Sequence, residues 1–296
     1  MDRLRKTLPI LLTALLALNV SAQDQMRPAD GEGFVEIADG ARIFYQTWGE
    51  GQPIVLVHGY PLNGGLFRDN VAALAEQHQV VTVDLRGYGQ SETPDAQASI
   101  ALYASDVLAV MDELDLQSAI VGGMSMGGPI VFELYRQAPD RFAGMILIDT
   151  IAAAAAPPEA GLWRGVAEQV EGMGPESLIG FLMPDMLTGD TRMNRPELVD
   201  HLSSLMQAAS VDAWLGGANA LATRPDSTAT LPEIQVPTLI LVGLEDSLYA
   251  FEIARGMQEQ IPDSRLEILP GASHAAIFEA ADEANAAILD WARSIE

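Results

Sequence analysis

Two kinds of apolar pattern alternate along the chain. Pro53–Val57 is an uninterrupted apolar run of strand length, as expected for a strand buried on both faces. Similar runs recur at Val80–Val83, Ala119–Val121, Met145–Ile148, Thr238–Val242 and Leu266–Leu269. Between them lie stretches that predict helices: Leu66–Glu76, Ile100–Leu114, Pro129–Gln137, Phe251–Gln260 and Ala276–Ser294. Within the second, positions 101, 104, 107, 108, 111 and 114 fall on one helical face. Ahead of the first run, Phe34–Ile37 and Arg42–Trp48 flank Asp39-Gly40, which predicts a hairpin closed by an Asp-Gly turn. Strands alternating with helices specify an α/β fold, a mainly parallel sheet covered on both faces.

The alternation stops between residues 151 and 231. This stretch reads as helices punctuated by proline and glycine, with no strand pattern, after a loop-to-helix entry at Ala152–Ala156. It holds five of the twelve methionines (Met173, Met183, Met186, Met193 and Met206), together with Trp163, Phe181 and Trp214. The expectation is a helical cap inserted over the C-terminal edge of the sheet. Its apolar side chains either line a pocket or simply hold the cap to the core. The organisation expected is therefore a leader at 1–22, core at 23–150, cap at 151–231 and core again at 232–296.

Composition narrows the chemistry. With 296 residues, 49% of them hydrophobic, the chain is long enough for one large α/β domain. It has no cysteine, which excludes disulfides, thiolate metal sites and a cysteine nucleophile. Arg3, Arg5 and Lys6 precede an apolar run from Leu8 to Leu18, and Val20-Ser21-Ala22 supplies small residues at a cleavage site. This is the pattern of a signal peptide cut before Gln23, and it predicts a periplasmic or secreted protein. The run is short for a membrane span, so no stable membrane insertion is expected after cleavage. Removal of the leader takes the formal charge from −25 to about −27. Such a surface repels nucleic acid and anionic membranes, so neither is an expected partner. Lys6 is the sole lysine and leaves with the leader, which rules out lysine-based covalent chemistry in the mature chain.

The strongest chemical signal is Gly123-Met124-Ser125-Met126-Gly127, between the strand run at Ala119–Val121 and the helix from Pro129. A serine on a sharp strand-to-helix turn is held in an unfavourable backbone conformation that pushes its hydroxyl out of the sheet. The following helix aims its positive end at a developing oxyanion. A nucleophilic serine needs a base. Of His58, His78, His201 and His274, the last lies in the loop Pro270–His274, after the final strand run and before the final helix. His274 is the predicted base. His78, in the polar Glu76–Gln79 link, is expected at the surface, and His201 at the surface or a pocket rim. Three acids follow strand runs and could orient the base: Asp246, Asp149 and Glu245. Asp246 is preferred because it gives the chain order Ser…Asp…His, with Asp149 second and Glu245 third. His58-Gly59 ends a buried strand, so the N–H of Tyr60 can face the serine. With the N–H of Met126 it would form a two-donor oxyanion hole. His58 itself, and the loop Asp84–Ser91, are expected to be structural.

These residues together resemble the α/β-hydrolase superfamily from about Gly33 to the C-terminus. The motifs are His58-Gly59-Tyr60-Pro61, Asp84 to Ser91, Gly123 to Gly127, Val242 to Asp246 and Gly271 to His274. The elbow, the cap and the stretch Arg224–Thr228 are most similar to the small-capped esterase and enol-lactonase group. That resemblance implies a triad of Ser125, Asp246 and His274, an oxyanion hole at Tyr60 and Met126, and no cofactor or metal. The segment His58–Leu62 is also similar to cofactor-free perhydrolases. A serine at the elbow separates the chain from haloalkane dehalogenases and epoxide hydrolases, which carry aspartate there. Ser247-Leu248-Tyr249 departs from the Thr-Pro or Ser-Pro that many relatives have after the acid. The expected function is hydrolysis of a small ester or lactone. A carbon–carbon hydrolase or a perhydrolase would use the same triad, and a ligand-binding receptor would bind without turnover.

Overall fold

The computed structural model describes residues 27–94 and 96–295. The expected leader at 1–22 lies outside the described residues. Eight strands form one sheet in the order β1-β2-β4-β3-β5-β6-β7-β8. The first two, β1 (Gly31–Glu36) and β2 (Arg42–Trp48), make the expected hairpin, and β2 runs antiparallel to β4 (Gln79–Val83). From β4 onward all neighbours are parallel: β3 (Pro53–Val57), β5 (Ala119–Met124), β6 (Phe142–Ile148), β7 (Thr238–Gly243) and β8 (Ser264–Leu269). The central strands have no solvent-facing side, which is why they read as unbroken apolar runs. Every residue of β5 and β7 is buried.

Right-handed crossovers assign the helices to faces. The step from β3 to β4 goes one way along the sheet, and β4 to β5 and β5 to β6 go the other. Thus α1 (Arg68–Leu74) lies on one face, and α2 (Ile100–Glu113) and α3 (Gly127–Gln137) pack together on the other. Ser99 starts α2 as its N-cap, accepting from the N–H of Leu102 at 3.1 Å. The buried face of α2 is rotated from the expected one. Ala101 is exposed, while Tyr103 and Asp106 are inside. The reason is electrostatic: Asp106 forms a bidentate pair with buried Arg86, at 2.6 and 2.7 Å.

Between β6 and β7 the chain forms only helices: α4 (Pro157–Met173), α5 (Glu176–Met186), α6 (Gly189–Asn194), α7 (Pro196–Ala208) and α8 (Val211–Ala222), then a 3-10 turn at Thr228–Glu233. After β7 comes α9 (Phe251–Gln258). The expected C-terminal helix is two helices, α10 (Ala276–Glu279) and α11 (Ala281–Ile295). The break falls at Ala280, where the Glu279 carbonyl accepts from Arg195 at 3.1 Å instead of continuing the helical ladder. Two buried asparagines fasten this end of the chain to α1. Asn70 donates to the Ile277 carbonyl at 3.0 Å and to Asn285 at 2.9 Å, and Asn285 donates to the Asp69 carbonyl at 3.0 Å.

Candidate active site

Ser125 sits at the turn between β5 and α3 with φ at 53°, a left-handed conformation rarely adopted by a side-chain-bearing residue. The turn is possible because its glycines leave no side chain in the way. A methyl at Gly123 would strike the Gly127 carbonyl, and one at Gly127 would strike the Val57 carbonyl. The serine hydroxyl lies 2.8 Å from Nε2 of His274, and Nδ1 of His274 lies 2.9 Å from Oδ2 of Asp246. All three are buried: Ser125 is 7% exposed, Asp246 5% and His274 1%. The other oxygen of Asp246 accepts the N–H groups of Leu248 and Tyr249, at 2.8 and 3.0 Å. Burial pushes the Asp246 carboxyl upward, but the adjoining His274 and those two N–H groups hold it below its ordinary value. The departure at Ser247-Leu248-Tyr249 therefore still delivers two backbone donors to the acid. Tyr249 also packs edge-on against the His274 ring, with centroids 5.5 Å apart. A serine, imidazole and ionised carboxylate in this row can move a proton off the hydroxyl and stabilise the resulting imidazolium.

Gly59 lies against the elbow, where a methyl would meet the Cβ of Ser125 and the side chain of Met124. This close approach brings the backbone that leads into Tyr60 against the elbow. Neither the Tyr60 nor the Met126 N–H donates to another backbone group among the described residues. The Tyr60 ring stands edge-on between Trp163 of α4 and Trp214 of α8, at 5.5 and 5.4 Å, and its hydroxyl donates to the Trp214 carbonyl at 3.1 Å.

The two other acids take different places. Glu245 is exposed. Asp149 is buried behind the row, and its carboxylate accepts the N–H of Gly243 at 2.7 Å and of Ala276 at 3.2 Å. Burial, and next the charge of Asp246, raise its pKa well above the ordinary value.

The remaining histidines separate cleanly. His58 accepts the Leu85 N–H on Nε2 at 3.0 Å, so its proton is on Nδ1, which donates to the Gly59 carbonyl at 2.9 Å. Burial lowers its pKa to about 4, so near neutral pH it is an uncharged brace. His201 contacts the Gly65 carbonyl at 2.9 Å and stacks on Phe278. His78 corrects the surface expectation: it is 1% exposed. The Gly49–Gly51 turn packs directly on its backbone, while Glu76 and Gln77 of the same link stay exposed. Asp84 is structural, its carboxylate accepting from Gly64 and Gln90 at 2.7 and 2.8 Å. Among the described residues no three His, Asp or Glu side chains come together as metal ligands.

The helical insertion reaches this site through backbone groups that leave no mark in sequence. The Asp185 carbonyl accepts from the His274 N–H at 3.3 Å and from the Ser273 hydroxyl at 2.8 Å, and the Met186 carbonyl accepts from Ala275 at 2.9 Å. Buried Glu279 joins the two parts, with one oxygen on the N–H and hydroxyl of Thr188 and the other on the Ser273 N–H. Arg224 pairs with Glu159 of α4 at 2.5 and 2.7 Å, and the Tyr249 hydroxyl lies 3.4 Å from Glu159. The methionines divide: Met173 and Met193 are exposed, whereas Met183, Met186 and Met206 are buried. Aromatic contacts to the core and the site come instead from Trp163 and Trp214, which meet the Tyr60 ring, while Tyr249 meets the His274 ring.

Known proteins share this fold. The alpha/beta hydrolase fold family matches residues 52–281. A thermophilic esterase from Thermogutta terrifontis, solved with malate bound, superposes with a TM-score of 0.86 at 31% identity, covering 90% of this chain and 99% of its own. A non-heme haloperoxidase from Rhodococcus erythropolis is 29% identical over 88% of this chain and 99% of its own. A 3-oxoadipate enol-lactonase from Acinetobacter baylyi is 28% identical over 85% of this chain and 93% of its own. The chain belongs to the α/β hydrolase fold family.

Proposed function

We propose that the protein is a serine hydrolase that cleaves small carboxylic esters or lactones through an acyl-enzyme on Ser125. The observation that carries this reading is the continuous row from the Ser125 hydroxyl to His274 to Asp246, at 2.8 and 2.9 Å. His274 removes the hydroxyl proton as Ser125 attacks the carbonyl carbon. The tetrahedral oxyanion rests on the N–H groups of Tyr60 and Met126 and on the N-terminal end of α3. His274 then gives its proton to the leaving alkoxide, which departs as an alcohol. In the second half His274 takes a proton from water, whose hydroxide attacks the acyl carbon, and collapse returns the acid and free Ser125. Esterase and enol-lactonase relatives support this substrate class. The basic start, apolar run and small-residue cleavage site support export of the mature chain from Gln23.

A second reading is favoured by the haloperoxidase relative: the acyl-enzyme is released by hydrogen peroxide in place of water, giving a peracid. The test is hydrolysis of short-chain p-nitrophenyl esters by the purified protein beside its Ser125→Ala variant. Turnover in the wild type that falls by about four orders of magnitude or more in the variant is the expected result. Equal turnover in both would exclude Ser125, and absence of fluorophosphonate labelling at Ser125 would sink the acyl-enzyme. Adding peroxide and assaying peracid separates the second reading from the first.

A further inference from the structure

Three non-glycine residues adopt left-handed backbone conformations among the described residues: Asp115, Ser125 and Asp149. Asp115 follows Leu114, the C-cap of α2, where its N–H and that of Leu116 close the last helical turn, an ordinary place for this conformation. The other two are the serine at the elbow and Asp149, with φ at 44° directly after β6. Such a conformation persists in a side-chain-bearing residue only where the surroundings hold it.

Those surroundings are unusual. In the sheet β6 lies between β5, which ends at the serine, and β7, which leads to Asp246. The three residues Ile148-Asp149-Thr150 hold a backbone group next to every member of the row. The Ile148 carbonyl accepts the Ser125 N–H at 2.9 Å. The Thr150 hydroxyl donates to the Ser125 carbonyl at 2.6 Å. The Asp149 carboxylate takes the N–H of Gly243, three residues before Asp246, and the N–H of Ala276, two residues after His274. Gly243 in turn accepts the Asp246 N–H at 3.1 Å. The left-handed turn at Asp149 is what lets its carboxylate reach both loops while its two neighbours grip Ser125 from either side. The fit at Thr150 is close, since a methyl at Gly128 would overlap its side chain. Both side chains are buried, with Asp149 1% and Thr150 3% exposed.

We infer that Asp149 and Thr150 are positioning residues that set the spacing of serine, acid and base through the backbone they hold. This inference rests on the proposed roles of Ser125, His274 and Asp246. Neither residue touches the reacting atoms. Their contribution is alignment, so it shows in the turnover step and in the reactivity of Ser125, and not in substrate affinity.

The experiment compares Asp149→Asn, Thr150→Val, Thr150→Ser, Asp246→Asn and Asp149→Asn/Asp246→Asn with the wild type. It reads kcat and KM on a p-nitrophenyl ester, the rate of fluorophosphonate labelling of Ser125, and thermal unfolding. Thr150→Val removes only the hydroxyl bond to Ser125. It is expected to lower kcat and labelling about fivefold to tenfold with KM within about twofold, and Thr150→Ser to restore both. Asp149→Asn places an amide donor against one of two backbone donors and is expected to cost about a hundredfold in kcat. Because both aspartates act on the same alignment, the double variant is expected to be no more than about threefold below Asp246→Asn alone. The inference is overturned if Thr150→Val and Asp149→Asn keep kcat and labelling within about twofold while unfolding earlier. It is equally overturned if the Asp149→Asn loss multiplies in full with that of Asp246→Asn. Should Asp149→Asn fail to fold, the Thr150 pair decides. A wild type whose Ser125 does not label overturns the proposed function, whereas a reactive wild type with indifferent variants overturns this inference alone.

Discussion

The sheet edge and the helical insertion are held together by opposite means. At the edge, buried carboxylates bind backbone N–H groups: Asp84 holds Gly64 and Gln90, Asp149 holds Gly243 and Ala276, and Glu279 holds Ser273 and Thr188. In the insertion, apolar packing dominates, and Leu162, Met173, Phe181 and Met193 remain exposed on its outside. Hydrogen bonds are directional and fix positions to fractions of an ångström, while apolar contacts tolerate rearrangement of similar volume. The edge therefore carries the geometry that the proposed proton transfer requires. The insertion supplies cover, and its outer face is free to vary. Its directional contacts to the core lie along the seam, among them those of Asp185, Met186, Thr188, Arg195, His201 and Trp214.

The largest effect that would sharpen this contrast comes from two of the buried arginines. Arg86→Met strands Asp106, which is 1% exposed, and is expected to cost about 3–5 kcal/mol in urea unfolding. Arg224→Met strands Glu159, whose side chain is 28% exposed and can rehydrate, so its expected cost is about 1–2 kcal/mol. Equal losses would break the distinction drawn between the two regions.

Next comes a difference in the sign of the pH response. Burial raises the Asp84 carboxyl from 3.8 to about 6, against the opposing pull of the Gln90 and Gly64 N–H groups. Between those values the folded protein keeps a proton that the unfolded chain has released. Stability from this group therefore falls as pH rises through about 4 to 6, by an amount on the order of 2–3 kcal/mol. Glu159 behaves oppositely. Burial pushes it up, but Arg224 outweighs that and holds it below its ordinary 4.5. Its contribution is present above that value and is lost as pH drops through its folded pKa. Urea unfolding at pH 4 and pH 7 should show a smaller fall with rising pH in Asp84→Asn than in the wild type. An unchanged fall would mean that Asp84 does not hold its proton as described.

The smallest effect belongs to the outer face. Phe181→Ser, at a side chain that is 64% exposed, should shift unfolding by about 0.5 kcal/mol or less. A loss of several kcal/mol would show that this face is not free to vary.

How far sequence could lead follows the same division. The strands, the hairpin and the elbow were legible because each depends on neighbours within a few residues. Gly123 and Gly127 announce the turn that Ser125 occupies, and chain order ranks Asp246 ahead of Asp149. Contacts made by backbone atoms far apart in the chain were not legible. Asp149 binds N–H groups 94 and 127 residues away, and a peptide N–H has no identity in sequence. The same limit explains His78, enclosed by a turn nearly thirty positions earlier, and α2, rotated inward by the partner of Asp106. At Ala280 the helix breaks because Arg195 takes a carbonyl, and no local residue signals that. The methionines of the insertion left their role open for a simpler reason, since composition does not say which face of a helix points inward.

The asparagine fastening between α1 and α11 has a consequence in time. Ser125 precedes His274 by 149 positions, and α11, which clasps α1 through Asn285, follows every other element of the described fold. During synthesis Ser125 and its elbow emerge and can fold while His274 is still unmade. The loop bearing His274 gains its anchors on Asn70 only when the end of the fold returns to its beginning. Under the proposed mechanism a nascent or truncated chain thus holds an inert serine, and hydrolytic competence arrives together with completion of the fold.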